Sequence, residues 1–304
     1  MSSTSLESTA AVGPMTLANH WSERKYRLLC LLGAVVVLIL VLFHTSFREL
    51  VQTWQHEDSL YSHAMLIPPI SLFFVWMNRK SLLSMPVAPS LFGYPVLFAG
   101  CAFLLLGDFL GFMTFVHLAL LPVLTGLCLL FLGREITKTA WFSLAFLFFM
   151  MPMPYALTSG ISFKSKMLAT ESAVAMGKML TLHIVQDGSF VYLGADGDRL
   201  LVGDVCGGMR SLVALLAFGA LMAYISKTRL WARFLILLIS PAIAILANVS
   251  RIFFLCVVGY VWGSEAATGL IHDVSGIGIF AVAFVLLFSV EAALRRFAPQ
   301  KSER

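Results

Sequence analysis

Apolar and polar positions along the 304-residue chain fall into long blocks, not short alternations. Charge-free apolar runs cover residues 28–47, 59–78, 91–107, 109–133 and 139–163. Three more follow at 211–226, 234–263 and 274–290, and Arg251 interrupts the seventh. Because a helix needs about 20 apolar residues to cross a hydrocarbon core of roughly 30 Å, this pattern predicts eight transmembrane helices. Pro68-Pro69 bends the second, and the sixth is short. The fifth run ends in Met150-Met151-Pro152-Met153-Pro154, where two prolines stop a helix.

The pattern then changes. Across 157–185, Ser162, Lys164, Ser165, Lys166, Thr170, Glu171 and Lys178 interleave with Met167, Leu168, Val174, Met179 and Leu182. This is the pattern of an amphipathic helix lying on a membrane or packed over a bundle. Beyond it the period drops to two. Phe190-Val191-Tyr192-Leu193 and Leu200-Leu201-Val202 flank an Asp-Gly turn signal at Asp196-Gly197, which predicts a β-hairpin.

The fold class expected is therefore an all-α polytopic membrane protein of about eight transmembrane helices, with an outer-face amphipathic helix and a short hairpin together covering 157–205. Residues 1–22 are rich in Ser, Thr and Ala without an apolar core and read as a flexible cytoplasmic tail. Residues 23–297 form one membrane domain, and 298–304 a basic tail.

Composition agrees: 59% of residues are hydrophobic and 12% charged, at mean hydropathy +0.89. A net charge of +5 would suit a nucleic-acid binder, but its distribution indicates another cause. With the N-terminus inside, 14 of 21 basic residues fall in cytoplasmic pieces and 11 of 16 acidic residues in outer ones. The positive-inside rule then sets both termini in the cytoplasm of a bacterial inner-membrane protein, with lipid and not nucleic acid around it.

Of the five cysteines, Cys30, Cys101, Cys128 and Cys256 lie within apolar runs and read as packing residues, with no disulfide framework. Cys206 differs. It sits where polar loop meets apolar helix, in Gly203-Asp204-Val205-Cys206-Gly207-Gly208-Met209-Arg210-Ser211. Unpaired N–H groups and the positive end of a helix dipole favour thiolate over thiol there. Gly207 and Gly208 clear space beside the sulfur, and Arg210 adds positive charge one turn on.

Two further residues converge on that face by topology. Counted from Phe234, Arg251 lies roughly 25 Å along its helix, near the outer edge of the bilayer, with Asn248 on the same helix face. An intramembrane arginine usually faces the bundle interior. His272 falls in the short outer segment before the last span. The first outer loop, Trp54 to His63, is dense in hydrogen-bonding groups; Asp58, Tyr61 and His63 are candidate substrate-binding residues, set against a simple interfacial aromatic belt.

These residues resemble the exosortases and archaeosortases, polytopic membrane cysteine enzymes that process C-terminal sorting signals. The resemblance rests on Trp54…Asp58…Tyr61-Ser62-His63…Leu66-Ile67-Pro68, Met151-Pro152-Met153-Pro154, Cys206-Gly207-Gly208-Met209-Arg210-Ser211-Leu212, Asn248…Arg251-Ile252 and His272…Gly276…Phe280. It implies that Cys206, Arg251 and His272 are catalytic. It also implies substrates that are secreted proteins whose tail carries a short motif, an apolar helix and a basic end. The family commonly has Cys-Ser-Gly where this chain has Cys206-Gly207-Gly208, and Gly where Ala64 follows His63.

The leading expectation is a thiol protease and transpeptidase. Without a metal cluster, phosphate loop or nucleotide motif, no cofactor is expected. Two other classes compete: a transporter or channel with a polar path through Arg251, His272, His63 and Asp58, or an enzyme on lipid-linked polysaccharide. Cys206 discriminates, since a pore has no need of it.

Overall fold

The computed structural model describes residues 33, 35–56, 59–194, 198–203 and 208–299, together with the backbone but not the side chain of Asp273. It is predominantly helical, with one small sheet. Two units are distinguished, residues 1–48 and 49–304. Helix α1 (Val35–Leu42) belongs to the first. In chain order there follow α2 (His44–Gln55), a 3-10 turn (Ser62–Leu66), α3 (Ile67–Met77), α4 (Arg79–Ser84), α5 (Gly93–Leu110), α6 (Met113–Phe131), α7 (Arg134–Thr139) and α8 (Trp141–Phe146). A second 3-10 turn (Leu147–Met150) leads to α9 (Tyr155–Met179). Strands β1 (Ile184–Asp187), β2 (Phe190–Leu193) and β3 (Asp198–Leu201) precede α10 (Met209–Ile225), α11 (Leu230–Trp262), α12 (Ser264–Thr268) and α13 (Leu270–Phe297).

Every predicted apolar run contains helix, and the exact count of eight spans is not confirmed among the described residues. Helices α5, α6, α11 and α13 are long and apolar enough to cross a bilayer, and the count reaches six if the bent pairs α1–α2 and Trp141–Met150 with α9 are each one span. The second and sixth runs hold the shorter apolar helices. Ser62–Met77 and α10 have 10–17 residues, and at 1.5 Å per residue neither reaches about 30 Å. The second bent pair turns by 76°. Pro152 and Pro154 explain it: Met151 and Pro154 are extended, at ψ 128° and 136°, and Pro154 starts α9 as its N-cap.

The amphipathic helix ends six residues earlier than expected, at Met179. Thr181 takes φ +61°, and Leu182 N–H donates to the Gly177 carbonyl at 3.0 Å, which closes the helix. The chain then forms β1, so the predicted hairpin becomes a three-stranded antiparallel sheet in the order β1-β2-β3. The hairpin itself is in the expected place, with Phe190 opposite Leu201. The added strand pairs Asp187 with Phe190 across a tight turn at Gly188, φ +59°.

Helix α11 is the hub. Two buried clusters share it. In one, Ala169 and Ala173 of α9 and Ile184, Val191, Leu193 and Leu200 of the sheet pack on Val249, Ile252 and Cys256. In the other, Leu215 and Met222 of α10 and Ala283 and Leu287 of α13 pack on Ile236, Ile243 and Ala247. Their burial seats the sheet, α10 and α13 around the stretch of α11 that carries Asn248 and Arg251. Beyond these cores many large apolar side chains are exposed, among them Phe109, Leu230 and Ile277. That is the surface of a multi-pass membrane protein, where lipid replaces water as the solvent.

Candidate active site

Arg251 projects from α11 toward the first turn of α13. Its Nη2 lies 3.2 Å from His272 Nε2 and donates to the His272 carbonyl at 3.1 Å. Its Nε donates to Ser275 Oγ at 3.2 Å, and that hydroxyl donates to the same carbonyl at 2.7 Å. A guanidinium has no acceptor atom. A hydrogen bond across this contact therefore needs Nε2 as the acceptor. Gly276 lets the arginine pass, since a Cβ there would stand 3.3 Å from Nη2. Both Arg251 and His272 are half-buried.

One turn before Arg251, Asn248 is 4% exposed and sits against Gly208. This glycine is the N-cap of α10 at φ +70°, and a Cβ on it would meet Asn248 Cγ and Nδ2 at 2.8 Å. Ser165 and Ala169 of α9 line the same crevice as Gly208 and Asn248. Close approach and positive φ both require glycine at 208. The chain two residues before this cap is Cys206. Cys206, Gly207 and Asp58 lie outside the described residues. Arg210, in the first turn of α10, is half-buried, and Lys166, one residue from Ser165, is 7% exposed.

The described part of the segment from Trp54 to His63 makes its own connections. Tyr61 is buried, and its hydroxyl accepts the Met153 N–H at 2.9 Å. Trp54 Nε1 donates to the Met150 carbonyl at 3.0 Å. Two separate sequence motifs thus meet in space, fixing the extended segment before α9. His63 stacks on Tyr61, and neither of its buried ring nitrogens has a partner among the described residues.

Sequence reasoning missed Ser275 and Ser165. Ser275 follows His272 by three positions, one helical turn, and that spacing was the available signal. Ser165 was counted only as part of an amphipathic stripe. The link from β3 to α12 was also missed: Asp198 accepts from Ser264 N–H at 2.7 Å and Oγ at 2.6 Å, and from its neighbour Arg199 N–H at 3.0 Å. These bonds hold the Asp198 carboxyl below its usual range.

No curated protein and no solved structure matches the chain. A family model described as transmembrane exosortase matches residues 54–289, the stretch that holds both the extended segment before α9 and the Arg251–His272 contact, and the chain therefore belongs to the transmembrane exosortase family.

Proposed function

We propose that the chain is a membrane thiol protease and transpeptidase that cleaves C-terminal sorting signals of secreted proteins at the outer face of the cytoplasmic membrane. Family membership supports a membrane transpeptidase or protease role in general. The observation that carries the finer reading is the pairing of Arg251 with His272, one turn from an Asn248 that packs on the glycine next to the Cys206 loop.

In this reading the Cys206 sulfur gives its proton to the His272 imidazole and attacks the scissile carbonyl as thiolate. The doubly protonated ring no longer accepts from Arg251, so Nη2 is released to meet the oxyanion of the tetrahedral intermediate. Collapse expels the C-terminal part as an amine, which takes the proton from His272, and leaves a thioester on Cys206. Water or an incoming amine then attacks the thioester while His272 removes its proton, and the thiol is restored. Ser275 holds the arginine at Nε, and Asn248 holds Gly208. Gly207 admits the substrate backbone, while the glycine at 208 lets Asn248 pack on the α10 cap; Arg210 adds positive charge.

The decisive experiment follows the tail of a tagged secreted protein in cells producing the chain. Cys206→Ala and Cys206→Ser are expected to abolish shortening of the tail at normal membrane abundance, and Cys256→Ala, buried in the α11 core, to leave it intact. Equal, modest effects at both positions would refute the nucleophile assignment.

A further inference from the structure

Helices α5 and α6, each long and apolar enough to cross a bilayer, form an antiparallel hairpin. Gly93 at the start of α5 lies against Gly126 and Leu130 near the end of α6, and Gly107 lies against Val116 near its start. The start of α5 and the end of α6 therefore reach one membrane surface together. There the chain builds a cavity of about 400 Å³, lined by Ser90 and Phe92 before α5 and by Arg134, Thr137, Lys138 and Trp141 after α6, among others.

The walls of this cavity are pinned to each other. Ser90 N–H donates to the Leu129 carbonyl at 3.0 Å, Ala88 bridges with Gly133, and a Cβ at Gly133 would collide with the Ala88 carbonyl. Ala140 N–H donates to the Ile136 carbonyl and Leu144 N–H to that of Ala140, which carries the helical pattern from α7 into α8. Arg134, Thr137, Lys138 and Trp141, at i, i+3, i+4 and i+7, thus share one face.

Both charged residues of the lining are basic. Lys138 shares its charge with Glu135 at 3.0 Å, both side chains being exposed. Arg134 is exposed, and its guanidinium has no hydrogen bond or ion pair among the described residues. Around the cations the surface is apolar: Phe92 is 70% exposed and Trp141 57%. Phe98 and Leu105 continue this bare surface along α5. Cations in an aromatic-rimmed recess where two spans end suit a ligand with an anion at one end and hydrocarbon at the other. A soluble phosphate would match the cations and leave the rim to other lipids.

We propose that this cavity holds the head group of an anionic glycerophospholipid, with its phosphate on Arg134 and Lys138 and its acyl chains along α5. The planar guanidinium fork takes two phosphate oxygens, and the ammonium adds a point charge. Such a site needs neither the Arg251–His272 pair nor a thiol, and it stands or falls without the protease reading.

The test reconstitutes the full chain in phosphatidylcholine vesicles doped with phosphatidylglycerol that carries a diazirine on one acyl chain, close to the glycerol. A parallel sample carries the same group on phosphatidylcholine. After irradiation, phosphatidylglycerol should label peptides covering 88–98 and 129–141 about tenfold more than phosphatidylcholine does, as two interfacial cations allow. Arg134→Gln with Lys138→Gln should bring that labelling down to the phosphatidylcholine level. Glu135→Gln, which frees Lys138 from its ion pair, should raise it about twofold. Lys227→Gln with Arg229→Gln, at another basic joint, should leave it unchanged. Equal labelling by the two lipids, or labelling that survives the Arg134 and Lys138 substitutions, would overturn the proposal. Loss of labelling in the Lys227 and Arg229 variant would reduce it to general attraction of anionic lipid, and displacement by sodium phosphate would give the cavity to a soluble anion; either result refutes a lipid site. The comparison of the two lipids uses the unaltered chain, so it decides the matter even where the double variant fails to accumulate.

Discussion

Arg251 and His272, 21 residues apart, meet through two contacts of one nitrogen: Nη2 reaches the imidazole Nε2 at 3.2 Å and the backbone carbonyl of the same residue at 3.1 Å. The second contact ties the first turn of α13 to α11; the first brings the guanidinium to the imidazole. In the proposed mechanism this one side chain has a structural and a chemical duty, and substitutions separate them. Arg251→Lys keeps a cation that can reach the carbonyl but lacks the planar fork that also holds Ser275. It is expected to accumulate normally in the membrane and to process substrate poorly. Arg251→Ala should lose about 10²–10³-fold in turnover, as for removal of an oxyanion donor. Both are read by tail shortening against membrane abundance, and normal processing by Arg251→Ala would remove this residue from the mechanism.

Gly208 and Asn248 form a second pair whose coupling can be measured. Gly208→Ala meets two penalties, a left-handed backbone that costs a side chain about 1–2 kcal/mol and a Cβ 2.8 Å from the Asn248 amide. Asn248→Ala removes the second penalty and not the first. The double variant should therefore have a higher Tm than Gly208→Ala alone, by about 2–4 °C for each kcal/mol of relieved clash in a chain of this size. Additive Tm losses in the cycle would show that the two residues do not press on each other.

Much of this arrangement was legible in the residues, and for definite reasons. Apolar blocks report helices wherever the solvent is lipid, and Pro152 and Pro154 announced the break before α9. The convergence of Arg251 and His272 followed from the side on which each loop emerges. What was hidden is of two kinds. Strand β1 was absorbed into α9 because Ile184 and Val185 continue its apolar pattern; the turn at Asp187-Gly188 was the overlooked signal. The Tyr61–Met153 bond joins positions 92 apart, and no local pattern encodes a contact of that kind. The exact number of spans was not legible, because apolar composition does not distinguish a helix that crosses from one that stops short.

Asp198 provides a pH test of the joint between β3 and α12. Its carboxylate accepts three hydrogen bonds, and these hold its pKa below the usual value of 3.8. A depressed carboxylate contributes stability that is present above the unfolded-state value and lost as pH falls through the folded one. Wild-type protein should lose this contribution progressively below about pH 4. Asp198→Asn keeps the shape without the charge and should start with a lower Tm at pH 6 and fall less between pH 5 and pH 3. Parallel Tm curves for the two proteins would show that the Ser264 bonds do not couple to folding.

The orientation of the site is open to a chemical test that needs no substrate. Basic residues cluster in the segments at 79–80, 134–138 and 227–233, whereas the segments at 49–58, 187–204 and 265–273 hold mostly acidic ones. Lys and Arg are retained on the cytoplasmic side during insertion, while acidic residues exert little hold. The proposed topology therefore has α12 and His272 on the outer side and the α10–α11 joint on the inner side. Single cysteines are placed at Glu265, exposed in α12, and at Lys227, exposed in that joint, in a background whose five native cysteines are alanine. A membrane-impermeant maleimide applied to intact cells should label Glu265→Cys and spare Lys227→Cys until the membrane is permeabilised. The reverse pattern would put the Arg251–His272 pair on the cytoplasmic face, where a secreted protein's tail, already across the membrane, would be out of its reach, and the sorting function would fall with the topology.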